Sequence, residues 1–459
     1  MDIRGKKVLV IGSGISGINA ASLLEAAGAQ VSLFDSNDKL VIDEIKRKFM
    51  EESKVAIYVG ELPESVTEGL FMAVLSPGVP VDNPLVLSLK EKGVRISGEI
   101  ELAYEFARGD VLAITGTNGK TTTTSLVGEI CRNFNRIRGG ETYVVGNIGN
   151  PYTAIAADTK DDSIVVAEIS SFQLETTDTF RPKVSAILNI TPDHLNRHYT
   201  MENYVSIKER IALRQTADDV TVLNYDDPYT RDFGKRAPCR VIYFTRHDPE
   251  GAKATGCDVL YLDKDMIMYN DTAVINVNDM LLMGTHNYEN VMAAAGMTYA
   301  YGIPMDIISD TIRTFKAVEH RIEYVRSVKG VDYYNDSKGT NPDAAIKGIK
   351  AMKKKTVLIG GGFDKKSSYD EWIDSFDGRV SFLILLGQTA EKIAECARLH
   401  GFSDIVMVSS MEEAVEKAYE LSKPGEAVLL SPACASWGMF TNFEERGKVF
   451  KELVNGLEE

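Results

Sequence analysis

The 459-residue chain is short of positive charge: 51 lysines and arginines stand against 66 aspartates and glutamates, a formal charge of −15. That deficit excludes a broad basic face for nucleic acid. It also requires any anionic ligand to be held locally, by a few lysines and arginines, by metal ions or by helix N-termini, against a repelling global field. Cysteine is sparse and scattered, at Cys131, Cys239, Cys257, Cys396 and Cys434. None of these pairs as C-x-x-C, which excludes a zinc ribbon and a disulfide framework and predicts reduced thiols, as in the cytosol. Long apolar runs are missing too. The basic start is followed by an apolar run at 8–11 that breaks at Gly12 without a small-residue cleavage site, so no signal peptide is expected. No stretch is long enough to span a bilayer. A cytoplasmic protein with neither membrane nor nucleic-acid partners is expected, and repeats and low-complexity tracts are absent.

What the sequence has instead is alternation. Short apolar, β-branched runs at 8–11, 31–34, 73–75, 111–114, 164–167, 186–188, 220–223, 357–359, 382–386 and 427–430 are separated by helical patterns. Runs of this kind are what strands buried on both faces of a parallel sheet look like, so the fold class is α/β. At this length one core is not enough. Three units are expected, at 1–97, 98–304 and 305–459, the first and last Rossmann-like and the middle one a mostly parallel sheet of the phosphate-loop ATPase kind. Within the middle unit, 225–279 carries short segments with Gly, Asp and Asn that read as small antiparallel strands rather than crossovers.

Two glycine loops carry the first chemistry. Gly12-Ser13-Gly14-Ile15-Ser16-Gly17 follows the first strand and opens a helix, and Asp35 closes the next strand. Glycines there permit a tight turn and let backbone N–H groups approach a diphosphate at the helix N-terminus. Taken alone this loop also fits a nicotinamide-dependent oxidoreductase or a plain tight turn. Gly116-Thr117-Asn118-Gly119-Lys120-Thr121-Thr122 follows the run 111–114 and precedes a second helix. Position 114, where the first glycine of a phosphate loop would stand, is Ile, but Gly-Lys-Thr is intact. Backbone N–H groups there cradle phosphates, Lys120 neutralises the β/γ oxygens and the Thr121 hydroxyl ligates Mg²⁺. A simple dehydrogenase has no use for a second phosphate loop, so the first site is expected to hold a nucleotide-linked substrate.

Further strand ends add candidates. Glu168 stands where Mg²⁺ ligands tend to sit, beside the phosphate loop, with a helix-capping carboxylate as its plain alternative. Thr191-Pro192-Asp193-His194 ends another run, and its histidine suits a ligand, a base or a structural role. Lys208 lies on a helical stretch and by position alone reads as a surface lysine. Asn335-Asp336-Ser337-Lys338-Gly339-Thr340-Asn341, Gly360-Gly361-Gly362 before Lys365-Lys366, and 430–437 are loops poor in core-forming residues and suited to a site.

Together these motifs resemble the Mur ligase family along the whole chain. The most specific strings are TGTNGKTT at 115–122, GNIG at 146–149, EISSFQLE at 168–175, NDSKGTN at 335–341 and SPACAS at 431–436. Within the family, SSFQLE and the N-terminal glycine loop point to D-glutamate as the added amino acid and a UDP-linked muramoyl-L-alanine as the acceptor. The resemblance implies three roles. The first unit would bind the UDP substrate with Ser13, Gly14, Ile15, Ser16, Asp35, Ser36 and Gly78, and Asn147 and His194 would lie nearer the muramoyl part. The second would bind ATP with Gly116 to Thr122, aided by Asn287, Asn290, Arg321 and Asp336. The third would hold D-glutamate with Thr340, Lys365, Ser436 and Phe443, while Lys338 steadies phosphate charge. The resemblance also implies two Mg²⁺ ions, held by Thr121 and Glu168 and by His194 and Lys208, the last as a carbamate. A monomer closing about a hinge near Pro304 is expected. The rival expectations are a ligase of the same superfamily with L-glutamate or another amino acid, and an inactive scaffold.

Overall fold

The computed structural model describes residues 1–147, 149–282, 284–316, 319–364 and 367–458. The apolar runs lie in the strands of three sheets. In the first sheet, β1 (Lys7–Ile11), β2 (Gln30–Asp35), β3 (Ala56–Val59), β4 (Met72–Leu75) and β5 (Arg95–Gly98) take the order β3-β2-β1-β4-β5. Every pairing is parallel. Strand order reverses between β1 and β4, which is where an open α/β sheet leaves a crevice at its carboxyl edge.

The second sheet contains β6 (Asp110–Thr115), β7 (Thr142–Gly146), β8 (Ile164–Glu168), β9 (Val184–Ile187), β10 (Val220–Asn224), β11 (Arg240–Thr245), β12 (Asp258–Asp263), β13 (Met266–Tyr269) and β14 (Thr272–Asn276). Its order is β14-β13-β12-β11-β10-β9-β6-β8-β7. All pairings from β7 across to β12 are parallel, and only β13 runs against the rest, antiparallel to both β12 and β14. The expectation of small antiparallel strands over 225–279 is therefore corrected for its first half. β11 and β12 are true crossover strands, reached through the short helices Pro228–Gly234 and Pro249–Lys253.

These two sheets belong to one compact unit made of residues 1–279 and 288–313. One apolar core runs through both, with Val8, Val10 and Leu33 from the first sheet and Val111, Val165 and Ile187 from the second. The helix Glu99–Phe106 follows β5 directly, where the first expected boundary lies. The Glu101 carboxylate accepts the N–H groups of Asp178, Thr179 and Phe180 at 2.8, 2.6 and 3.1 Å. Buried Glu99 accepts both the N–H and the hydroxyl of Thr153, and burial raises its pKa. The helix Met305–Thr314 stays with this unit through Arg313. Ser309 donates to the Val274 carbonyl at 2.7 Å and Asn133 to the Thr311 hydroxyl at 2.9 Å. Pro304 thus lies inside the first unit.

The other compact unit comprises 280–287 and 314–459. It holds β15 (Glu323–Val328), β16 (Val331–Asn335), β17 (Thr356–Gly360), β18 (Val380–Leu385), β19 (Ile405–Met407) and β20 (Ala427–Leu430), in the order β15-β16-β20-β17-β18-β19. Only β15 is antiparallel to its neighbour. Apolar clusters cover both faces, one around Trp372, Leu383 and Leu429 and one around Tyr333, Ile384 and Phe450. Among the described residues, no helix is long and apolar enough to cross a membrane.

Candidate active site

In the first sheet the loop after β1 is fixed by its own second strand. Asp35 accepts both the N–H and the hydroxyl of Ser13, at 2.8 and 2.7 Å, and the N–H of Asn37 at 3.0 Å. Burial works to raise the Asp35 pKa, but these donors together hold it below the ordinary value. The helix Ile15–Ala26 then starts from Gly14. Gly17 is required by close approach: a Cβ there would sit 1.8 Å from the Gly12 carbonyl oxygen. Ser76, in the loop after β4, donates to that same carbonyl at 3.1 Å. So the loop 12–17, Asp35, Ser36 and the loop carrying Gly78 gather at the reversal of strand order, with Ser36 and Gly78 exposed.

In the second sheet the phosphate loop joins β6 to the helix Lys120–Arg138. Gly119 has φ +86° and caps that helix, and a Cβ on it would meet Asn290 Oδ1 at 2.3 Å. Asn290 also accepts from the Thr123 hydroxyl at 3.4 Å, so this expected nucleotide residue stands against the loop. The loop is stitched to the turn after β9. Thr117 N–H and Asn118 N–H donate to the carbonyl and side chain of Asn189 at 2.9 and 2.8 Å, and Thr117 Oγ1 bonds Thr191 O and Tyr204 Oη, each at 3.1 Å.

Two lysines converge on this loop. Lys120 Nζ donates to Gly116 O at 2.8 Å and Thr117 O at 3.0 Å, and Lys208 Nζ donates to the same Gly116 O at 2.9 Å. Lys208 is 1 % exposed, so it is no surface lysine. Burial, followed by the positive charge of Lys120, drives its pKa well below the usual lysine value. Such a shift moves a lysine toward its neutral, nucleophilic amine form.

Glu168 is buried at the end of β8. One of its oxygens, Oε1, accepts from Asn147 Nδ2 at 2.7 Å, while Oε2 is buried without a hydrogen-bond partner. An unsatisfied buried carboxylate oxygen is costly unless something binds it, so this donor suits Mg²⁺. His194 adopts a left-handed conformation at φ 52° and starts the turn Leu195–His198. Its ring lies 4.9 Å from that of Phe172, and Nε2 is 3.5 Å from Asp193.

Sequence reasoning missed three residues beside it. Arg197 pairs with Glu175 at 2.6 Å and donates to the Val79 carbonyl at 3.0 Å, tying this turn to the loop after β4. His198 is fully buried, with Nε2 2.9 Å from Ser171 Oγ. Its Nδ1 is 3.3 Å from Glu175 but out of hydrogen-bonding alignment, and burial lowers its pKa. Glu175 closes the SSFQLE string, which is the one signal that could have marked it.

The other compact unit gathers its own set. Asp336 is buried after β16 and accepts from Ser431 Oγ at 2.7 Å, and burial pushes its pKa up to about 7. Arg446, also buried, donates to Ser337 Oγ at 2.9 Å, Ser337 O at 2.8 Å and Cys434 O at 3.1 Å. It was not foreseen, and desolvation brings its pKa down to about 10. Lys338 lies over the Phe443 ring at 5.4 Å, and Thr340 and Ser436 flank this loop cluster. Arg321 is half-buried, while Asn287 is buried and falls in this unit. Lys365 lies outside the described residues.

Family models cover the three sheets in order. The Mur ligase MurD-like N-terminal domain matches residues 6–98, the Mur ligase middle domain 114–298, and the Mur ligase glutamate ligase domain 320–434. A protein of Lachnospira eligens named UDP-N-acetylmuramoylalanine–D-glutamate ligase is 52 % identical over the full length of both chains. One of Clostridioides difficile with the same name is 47 % identical, again over all of both chains. Among solved structures, a UDP-N-acetylmuramate–alanine ligase of Thermotoga maritima superposes with TM-score 0.62 at 18 % identity, covering 98 % of this chain and 99 % of that one. MurF of Acinetobacter baumannii does so with TM-score 0.59 at 16 % identity, over 98 % and 93 %. With all three domains matched in sequence order and about half the residues shared with full-length relatives, the chain belongs to the Mur ligase family.

Proposed function

We propose that this Mur ligase uses ATP to join D-glutamate to UDP-N-acetylmuramoyl-L-alanine, giving ADP and phosphate, in peptidoglycan precursor synthesis. The substrate identity rests on the full-length relatives that carry this name. The observation that carries the chemistry is the meeting of Lys120 and Lys208 at the Gly116 carbonyl, in the loop expected to hold ATP phosphates.

A carboxylate is a poor electrophile, so amide formation in water needs it activated. The alanyl carboxylate oxygen attacks the γ-phosphorus and ADP leaves. The amine of D-glutamate then attacks the acyl phosphate carbon, the acyl C–O bond breaks to release phosphate, and the nitrogen gives up one proton to solvent or the departing phosphate. The first step brings two anions together, and positive charge is what lowers its barrier. Lys120 and the N–H groups of the loop 116–122 hold the ATP phosphates, with Asn287, Asn290, Arg321 and Asp336 around the nucleotide. Magnesium would supply the remaining positive charge: Thr121 and Glu168 would hold one ion, and His194 and Lys208 would hold a second. Lys208 would do so as a carbamate: its neutral amine nitrogen bonds the carbon of CO₂ and loses one proton to solvent, leaving an anionic ligand. The loops carrying Ser13 to Ser16, Asp35, Ser36 and Gly78 take the UDP part, with Asn147 and His194 toward the muramoyl part. Thr340, Lys365, Ser436 and Phe443 take D-glutamate, and Lys338 steadies the phosphate. The proposed roles divide as UDP-binding 1–97, ATP-binding 98–304 and amino-acid-binding 305–459, with 305–313 belonging to the first compact unit. The protein is proposed to act on these small molecules as a cytoplasmic monomer.

The test is phosphate release from ATP with UDP-N-acetylmuramoyl-L-alanine and D-glutamate, L-glutamate or no amino acid. Release that depends on D-glutamate and is lost in Lys120→Ala is expected. Release with L-glutamate would overturn the stereochemistry, and none with either would overturn the ligase.

A further inference from the structure

A cluster of metal-ligand chemistry uses none of the residues proposed for the reaction. In the C-terminal compact unit the helix Asp370–Asp374 packs beside the helix Ala390–Leu399, which His400 terminates. Asp370 and Asp374 are one turn apart on the first, and Cys396 and His400 one turn apart on the second, so each pair projects from a single face. The two faces meet. His400 Nε2 is 3.1 Å from Asp370 Oδ1, His400 Nδ1 is 2.7 Å from Asp374 Oδ1, and Cys396 Sγ is 3.9 Å from Asp370 Oδ1. One donor atom each from Asp370, Cys396 and His400 falls within 4.8 Å of the other two.

We propose that Asp370, Cys396 and His400 bind one divalent ion of the zinc class, with Asp374 holding the imidazole in place from behind. The donor set decides the class of ion. A thiolate, an imidazole nitrogen and a carboxylate oxygen are what four-coordinate Zn²⁺ or Co²⁺ takes, whereas Mg²⁺ demands oxygen ligands. The geometry decides the roles. With Nε2 on the metal, Nδ1–H donates to Asp374, and an outer carboxylate on the far nitrogen is the usual support of a ligating histidine. A plain surface ion pair would explain His400 between two carboxylates, but it gives no reason for a thiol at the third corner. Cys396 is a free, half-buried thiol facing that corner. Three protein ligands leave a fourth position to water. Bound metal would cross-link two helices that otherwise meet through side chains alone, so its effect is on the stability of this unit and not on ligation.

The experiment uses the full chain, stripped of metal and kept in excess Mg²⁺, titrated with Co²⁺. One equivalent is expected to give a near-ultraviolet thiolate-to-cobalt band with strong visible absorption of a four-coordinate ion, and Zn²⁺ should bleach both. Cys396→Ser should abolish the ultraviolet band. His400→Ala should weaken binding at least tenfold, and Asp374→Asn about tenfold with the band retained. Unchanged ligase rates in Mg²⁺ report that each variant is folded. No band in the parent, a band that survives Cys396→Ser, or unaltered affinity in His400→Ala would each overturn the site.

Discussion

Lys208 sits in a shell that gives an ammonium group little in return for its lost hydration: one carbonyl at 2.9 Å, the Tyr204 ring at 4.7 Å, and the repelling charge of Lys120. These surroundings shift it toward the neutral amine, and a neutral amine adds to CO₂ while an ammonium does not. Protein equilibrated with ¹³C-labelled bicarbonate is therefore expected to show one carbamate carbon resonance. Lys208→Arg should lose it together with about a hundredfold or more of the rate. A resonance that persists in the variant would assign the carbamate elsewhere. Asp336 is displaced in the opposite sense. Its native pKa near 7 lies above the unfolded value of about 3.9, so between these values the native state keeps a proton that the unfolded chain has released. That contribution to stability is fully present below about pH 4, falls away as pH rises to about 7 and is flat beyond. Asp336→Asn cannot titrate, so its stability relative to the parent should climb across that window by up to about 4 kcal/mol. Melting curves offset by a constant amount from pH 4 to 8 would show that the carboxyl does not titrate there. Neither residue announced its state in the sequence, where Lys208 stood in an ordinary helical pattern and Asp336 in a polar loop. Burial is set by packing, which residue type and spacing do not report.

Elements were more legible than residues, and the glycine loops most of all, because a strand, a tight turn and a helix N-terminus leave composition marks close together. The loop between β1 and the helix Ile15–Ala26 offers a clean test of which ligand it serves. Gly14 has φ −69°, which any residue adopts, and a Cβ there would meet nothing within 4 Å. Gly14→Ala should therefore be tolerated, whereas Gly14→Asp places a negative charge where a diphosphate is expected. A rise of more than tenfold in KM for the UDP substrate, with KM for ATP within twofold, is the expected result. Steady-state kinetics that moved both constants equally would remove the UDP group from this loop. The strands β11 and β12 were misread for a reason of length. The helices leading into them, Pro228–Gly234 and Pro249–Lys253, span seven and five residues, too few for a helical period to emerge from the sequence. The Arg197–Glu175–His198 cluster was likewise invisible, since its members stand 22 and 23 positions apart and only the fold brings them together.

At the scale of the molecule, charge and connectivity pose one problem. The chain carries −15, and ATP, a UDP-linked carboxylate and glutamate are all anions, so each site must supply its own positive charge locally. The phosphate loop with Lys120 and Lys208 belongs to one compact unit, and Lys338, Thr340, Ser436 and Phe443 belong to the other. An amine cannot attack an acyl phosphate it does not reach, so the proposed reaction requires the two units to bring their ligands together. The chain crosses between units after residues 279, 287 and 313, and the hinge expected near Pro304 lies nine residues before the last crossing. Three crossings favour a rotation of whole units over the unfolding of a tether, because several strands of chain must bend in concert. Small-angle scattering should then show the radius of gyration falling when a non-hydrolysable ATP analogue, Mg²⁺ and both other substrates are present. Each ligand alone should produce less. A radius of gyration indifferent to the full set of ligands would mean that the sites already meet in the free enzyme, and closure would then have no part in setting the rate.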